Sequence, residues 1–150
     1  MPEAVLDTNV WLDLLVFRDE QCQPLLDAIE RGELAPVSSV ECQLEWQRVL
    51  NYPQLNLDQA AQARAELQQS QLVTVVEPEL VADPLRNPPR CRDPDDQKFL
   101  GLAIRRRVPL LFSRDLALLS LARRCQRDFA LQIRSPRGWR PGPCSGDDGV

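Results

Sequence analysis

The stretch EAVLDTNVWLDLLVF, residues 3–17, decides the fold because its hydrophobic pattern changes at a single aspartate. A short apolar run ends at Asp7, and Val10, Leu14 and Phe17 then recur at helical spacing. The pattern predicts a strand over residues 3–6 and a helix over residues 8–17. A carboxylate therefore lies where the first strand ends.

The same alternation continues along the chain. Further strands are predicted over residues 34–37, 72–76, 109–113 and 129–133, and further helices over residues 20–31, 38–50, 58–69, 94–106 and 116–125. Ser38, three residues before Glu41, is predicted to cap the third helix. The proline-rich residues 77–92 are predicted to form a loop. Strands separated by helices indicate an α/β fold with α/β/α layers and a mostly parallel central sheet. We expect one domain over residues 1–136 and a disordered tail over residues 137–150.

The composition excludes several kinds of site. The chain has no histidine, so it lacks the base of Ser-His and Cys-His sites and the commonest zinc ligand. Its five cysteines are scattered without a C-x-x-C pair, which is typical of reduced thiols in the cytoplasm. No apolar run reaches the roughly 18 residues of a membrane span, and the N-terminus lacks a signal sequence. We expect a soluble cytoplasmic protein with no membrane partner, whose chemistry depends on carboxylates, arginines, hydroxyls or thiols.

Charge is distributed unevenly along the chain. Residues 1–85 carry 4 arginines and 15 acidic residues, whereas residues 86–140 carry 14 basic and 5 acidic residues. A basic C-terminal half favours a polyanionic partner, and a solvated helix face explains it equally well.

Acidic residues are predicted to gather at one edge of the sheet. Asp7 ends the first strand and Asp115 follows the strand over residues 109–113, so both carboxylates point to the edge where α/β folds bind ligands. Asp93, Asp95 and Asp96 begin the helix before that strand, and Glu45 lies within the third helix. Helix capping by the aspartates, and a Glu45–Arg48 pair, are the structural alternatives.

Several carboxylates at one place repel one another and take up protons unless a cation neutralises them. Oxygen ligands without histidine or thiolate favour a hard ion, Mg²⁺ or Mn²⁺. Such an ion can polarise a phosphoryl oxygen and steady the leaving oxygen of a displaced phosphodiester. The cluster therefore predicts phosphodiester hydrolysis without a covalent enzyme intermediate.

Four motifs in order resemble the PIN-domain family, and more narrowly its bacterial VapC-like toxins of toxin-antitoxin pairs. They are VLDTNV at residues 5–10, EWQRVL at 45–50, CRDPDDQKFL at 91–100 and FSRD at 112–115. The resemblance spans about residues 4–136. It implies a PIN-like nuclease that cleaves single-stranded RNA, is silenced by a cognate antitoxin protein and commonly forms a homodimer.

By this resemblance four acids are the catalytic, metal-binding set that holds Mg²⁺ or Mn²⁺: Asp7, Glu45, Asp96 and Asp115. Asp96 is preferred to Asp93 and Asp95 because its distance to Ala103 fits the family motif, and Asp93 remains a candidate extra ligand or positioning group. Asn9 and Ser113 match polar positions that support the metal-binding carboxylates.

Arginines near the proposed site are candidates for contacting substrate phosphates, namely Arg90, Arg92 and Arg114. Trp11 and Trp46 are predicted to pack in the core rather than to stack on bases. Two other functions stay open. One is an RNA-binding or antitoxin-binding module that does not cut, and the other is an aspartyl-phosphate phosphatase with Asp7 as nucleophile, which Asn9 disfavours because such enzymes carry a D-x-D pattern.

Overall fold

A parallel sheet of five strands forms the centre of the structure, a computed structural model that describes residues 1–77 and 86–142. The strands are β1 (Glu3–Leu6), β2 (Ala35–Ser38), β3 (Thr74–Val75), β4 (Leu110–Phe112) and β5 (Gln132–Arg134). They lie in the order β3-β2-β1-β4-β5, and all neighbours are parallel. The chain extends the sheet from β1 in one direction and then returns to place β4 on the other side of β1.

Helices connect the strands. They are α1 (Thr8–Leu15), α2 (Gln23–Glu30), α3 (Val40–Leu50), α4 (Gln59–Leu72), α5 (Gln97–Arg105), α6 (Leu116–Leu119) and α7 (Ala122–Phe129). Short 3₁₀ turns at Glu20–Cys22 and Pro94–Asp96 lead into α2 and α5. Among the described residues, no helix is both long and apolar enough to cross a bilayer.

Two apolar cores cover the two faces of the sheet. In β1, Leu6 packs into the core formed with α1, α2, α3 and α4, whereas Val5 packs into the core formed with α5, α6 and α7. In β4, Phe112 and Leu111 divide in the same way. This alternation is expected of a strand buried on both sides. The predicted three-layer α/β/α fold with a parallel sheet is confirmed.

Three local predictions were wrong. Ser39, not Ser38, caps α3 by accepting a hydrogen bond from the Cys42 N–H at 3.2 Å, because Ser38 still belongs to β2. The helix predicted over residues 116–125 divides into α6 and α7 at Ser120, whose hydroxyl donates to the Ala117 carbonyl at 3.0 Å. The strand predicted from residue 129 begins later, because α7 continues to residue 129 and Ala130 then adopts a left-handed conformation.

The region predicted as a tail begins with residues that pack on the domain. The Trp139 ring is buried against Phe112, with ring centroids 5.6 Å apart and planes at 86°. Arg137 Nε donates to Asp19 at 2.7 Å, and the Gly138 N–H donates to the Gln21 carbonyl at 3.1 Å. Trp139 and its neighbours are therefore part of the fold, while residues 143–150 of the predicted tail lie outside the described residues.

Candidate active site

The site lies at the carboxyl ends of β1 and β4, where the strand order reverses. Asp7 follows β1 directly, and its backbone N–H still donates to the Phe112 carbonyl of β4 at 3.2 Å. Loops leave the two strands in opposite directions at such a point, which opens a crevice in α/β sheets. The topology thus brings Asp7 and the residues after β4 together.

Ser113 ties the two strand ends to each other. It is fully buried, its Oγ accepts the backbone N–H of Asp115 at 2.9 Å, and its hydroxyl donates to the Asp7 carboxylate. Asp7 also accepts the Val10 N–H at 3.0 Å and so caps α1. Two hydrogen bonds therefore fix the orientation of a buried carboxylate.

Three aspartates converge beside this pair. Asp93, Asp96 and Asp115 each offer a carboxylate oxygen within 4.8 Å of the other two. Asp93 Oδ1 accepts the Asp95 N–H at 3.0 Å, and Asp115 Oδ1 accepts the Ala117 N–H at 2.9 Å. Capping occupies one oxygen of Asp93 and one oxygen of Asp115. Helix capping and the convergence of the acids are compatible. These helices begin at the edge of the sheet, so their capping residues also lie there.

The electrostatics of the cluster show that these acids interact. Burial, aided by a hydrogen bond and repulsion from Asp115, raises the pKa of Asp96 to about 8. The hydrogen bond from Asp96 lowers the pKa of Asp115. Burial raises the pKa of Asp7 to about 6, against the opposing effects of its bonds to Ser113 and Val10. In the absence of a cation, Asp96 therefore holds its proton more tightly than an ordinary aspartate does.

Asp96 also presents an oxygen that the protein itself does not satisfy. Its Oδ2 is buried and has no hydrogen-bond partner within the described part of the chain. A buried carboxylate oxygen left unpaired is costly, and a bound cation would remove that cost. The donor set is all oxygen and partly enclosed, so it fits a hard divalent ion.

Glu45 is not among the three converging acids, but it contacts Thr8 and Lys98, which lie close in sequence to Asp7 and Asp96. The Lys98 ammonium contacts Glu45 Oε1 at 2.5 Å, and the Thr8 hydroxyl donates to Oε2. The alternative pair with Arg48 does not form within the described residues. The sequence analysis did not identify Thr8 and Lys98 as site residues. Thr8 directly follows Asp7 and Lys98 lies two residues after Asp96, and these positions were the signal that could have indicated them.

The remaining predicted residues lie in different surroundings. Asn9 is exposed, as are Arg90 and Arg92, and the positive charge of Arg92 helps to lower the pKa of Asp115. Arg114 directs Nε and Nη2 to the buried Asp13, at 2.6 and 3.1 Å.

The prediction that two tryptophans are core residues is confirmed. Trp11 and Trp46 are both buried, with ring centroids 6.5 Å apart.

A doubly wound parallel sheet with carboxylates at its switch point, where the strand order reverses, defines the class of protein. Residues 3–117 match the family model described as PIN domain, and the chain belongs to the PIN domain family. The resemblance predicted from the four motifs is thereby confirmed.

Comparison with solved structures supports the same fold. A chain of the crystal structure of VapBC2 from Rickettsia felis, bound to a DNA fragment from its promoter, superposes with a TM-score of 0.56 at 10% identity. The match covers 89% of this chain and 98% of that one. No curated protein matches the sequence significantly.

Proposed function

We propose that the protein is a Mg²⁺- or Mn²⁺-dependent endoribonuclease that hydrolyses single-stranded RNA. The observation that carries the proposal is the convergence of three aspartates where the strand order of a PIN fold reverses, one of which, Asp96, has a buried oxygen without a partner among the described residues. Protein side chains alone do not stabilise the ionised form of Asp96 at neutral pH. A ligand that brings positive charge does.

Asp93, Asp96 and Asp115 are the residues placed to hold the ion, with Asp7 beside them. When bound, a hard divalent ion supplies Lewis acidity that polarises a phosphoryl oxygen and favours ionisation of a water. Asp7 and Asp115 contribute preorganisation, because backbone N–H groups and Ser113 already fix their orientation.

Substrate phosphates are expected on the basic side of the site. Arg90 and Arg92 are exposed and close to the cluster in sequence, and the contribution of Arg92 to the lowered pKa of Asp115 supports this role. Arg114 is less available for this role because two of its nitrogens bind Asp13. Arginines at such positions would bring the phosphodiester to the aspartates by charge rather than by base identity.

We propose further that the protein is the toxin of a toxin-antitoxin pair, with a cognate antitoxin protein as partner and a homodimer as its assembly. Membership of the PIN family and the likeness of the fold to a VapBC2 chain support this assignment. A short open reading frame next to the gene, whose product copurifies with this chain and inhibits it, would be the expected companion.

Cleavage of a labelled single-stranded RNA tests the proposed function. We expect products with Mn²⁺ or Mg²⁺, none with EDTA, and a loss of at least a hundredfold in Asp96→Asn and Asp7→Asn. Asp95→Asn is the matched control, because Asp95 is exposed and lies outside the three-acid cluster. Undiminished cleavage by Asp96→Asn would assign the activity elsewhere, and RNA binding without cleavage would identify a binding module instead.

A further inference from the structure

The side chain of Lys98 brings a positive charge to Glu45. The Lys98 ammonium is largely buried and contacts Glu45 Oε1 at 2.5 Å and the Asp95 carbonyl at 2.6 Å. It also lies 5.1 Å from the centre of the Phe99 ring. Lys98 is thus held by contacts from α5, from the 3₁₀ turn before α5 and from α3.

The other oxygen of Glu45 is engaged as well. The Thr8 hydroxyl donates to Oε2, and Thr8 is buried directly after Asp7. Both oxygens of Glu45 are therefore bound by protein groups, and the Glu45 side chain is only 15% exposed. In this arrangement Glu45 and Lys98 form a neutral pair, in contrast to Asp96 with its unpaired buried oxygen.

We propose that Lys98 is a positioning residue that keeps Glu45 out of the metal's coordination, so that the site takes one divalent ion on the aspartates alone. This inference rests on the proposed function. The positive charge of Lys98 balances the negative charge of Glu45, which a second metal ion would otherwise balance. An ammonium does so without coordinating a water as a metal ion does, so it supplies no Lewis acidity at that position.

The Glu45–Lys98 pair predicts a specific electrostatic response. Removing only the ammonium leaves the negative charge of Glu45 unbalanced, and metal affinity should rise. Removing only the carboxylate leaves an unbalanced ammonium, and metal affinity should fall. Removing both restores a neutral position, and affinity should return to that of the wild type. The double variant separates this role from direct ligation, because a site that loses a metal ligand with Glu45 should bind the ion more weakly than the wild type even when Lys98 is also removed.

Calorimetric titration with Mn²⁺ alone tests the inference without any RNA. We expect one ion per chain for the wild type and affinity at least about tenfold higher, or a second ion, for Lys98→Met. Affinity should be at least about tenfold lower for Glu45→Gln and within about threefold of wild type for Glu45→Gln/Lys98→Met. Lys98→Arg keeps the charge and should bind as the wild type does. Cooperative thermal unfolding in EDTA establishes that each variant is folded.

Several results would overturn the inference. They are two ions bound to the wild type, unchanged affinity in Lys98→Met, and a double variant that binds at least tenfold more weakly than the wild type. If the wild type binds no Mn²⁺ at all, both this inference and the proposed function are refuted. A failure confined to the variants leaves the nuclease proposal standing and removes only the role of Lys98.

Discussion

Replacing Asp96 with asparagine should stabilise the protein at alkaline pH in the absence of divalent ions. The pKa of Asp96 is about 8 in the folded chain and 3.8 as the reference value for an unperturbed aspartate. The folded state therefore holds the proton more tightly than the unfolded state. The resulting stability is fully present below about pH 4 and is lost as the pH rises through about 8. An asparagine side chain at this position is neutral throughout and avoids that loss.

The size of the effect follows from the difference between the two pKa values. A difference of one corresponds to about 1.4 kcal/mol, which sets an upper bound of about 5 to 6 kcal/mol at pH 9. Relaxation of Asp93 and Asp115 and entry of water reduce it, so we expect Asp96→Asn to gain about 2 to 5 kcal/mol over the wild type. For a chain of 150 residues this corresponds to an increase in Tm of at least about 4 °C.

Urea unfolding followed by circular dichroism, in EDTA at pH 5 and pH 9, measures the gain. The wild type should lose stability between the two pH values, and Asp96→Asn should lose less. Asp95→Asn should follow the wild type, because it removes a charge one residue away that is outside the cluster. If Asp96→Asn is no more stable than the wild type at pH 9, or if Asp95→Asn shows the same gain, the reasoning about the burial of Asp96 is refuted.

Three other perturbations test separate parts of the account. Mn²⁺ affinity should rise by roughly tenfold per pH unit between about pH 6 and 8, because binding displaces the proton on Asp96. Calorimetric titrations in buffers of different ionisation heat measure the released proton. An affinity that does not change with pH would contradict the expectation. Trp139→Ala should cost about 3 kcal/mol by removing the ring packed on Phe112, measured by urea unfolding, and an unchanged midpoint would show that residue 139 is not anchored. Arg114→Met should lower the free energy of unfolding by about 3 kcal/mol, because it leaves the buried Asp13 carboxylate unpaired. The double variant Asp13→Asn/Arg114→Met should recover most of this loss. An equal loss in the single and the double variant would indicate lost packing instead.

The sheet could be predicted from the sequence because its strands and helices differ in period. The apolar run predicts a strand over residues 3–6, which are the bounds of β1, and Asp7 follows it at the edge of the sheet. The errors lie at element ends, where several residues compete for one role. Ser38 and Ser39 both have the chemistry of a cap, and only the register of β2 with its neighbours decides between them. That register is set by tertiary packing and cannot be read locally.

The candidate site was predictable in position and not in its detailed pairing. Strand topology alone sends Asp7 and Asp115 to the same edge. The partner of Glu45 was not predictable, because Lys98 is 53 positions away and meets it only after α3 and α5 pack together. Trp139 was missed for a similar reason. One aromatic residue in a polar, proline-rich segment gives no periodic signal, although a single ring suffices to anchor the segment.

A crystal soaked in Mn²⁺ and measured for anomalous scattering tests the central claim most directly. We expect one peak per chain, at about 2.1 Å from carboxylate oxygens of Asp96 and Asp115, with the Lys98 ammonium still in contact with Glu45. No peak at this site, or a peak elsewhere in the chain, would show that the convergence of these aspartates does not serve to hold a metal ion.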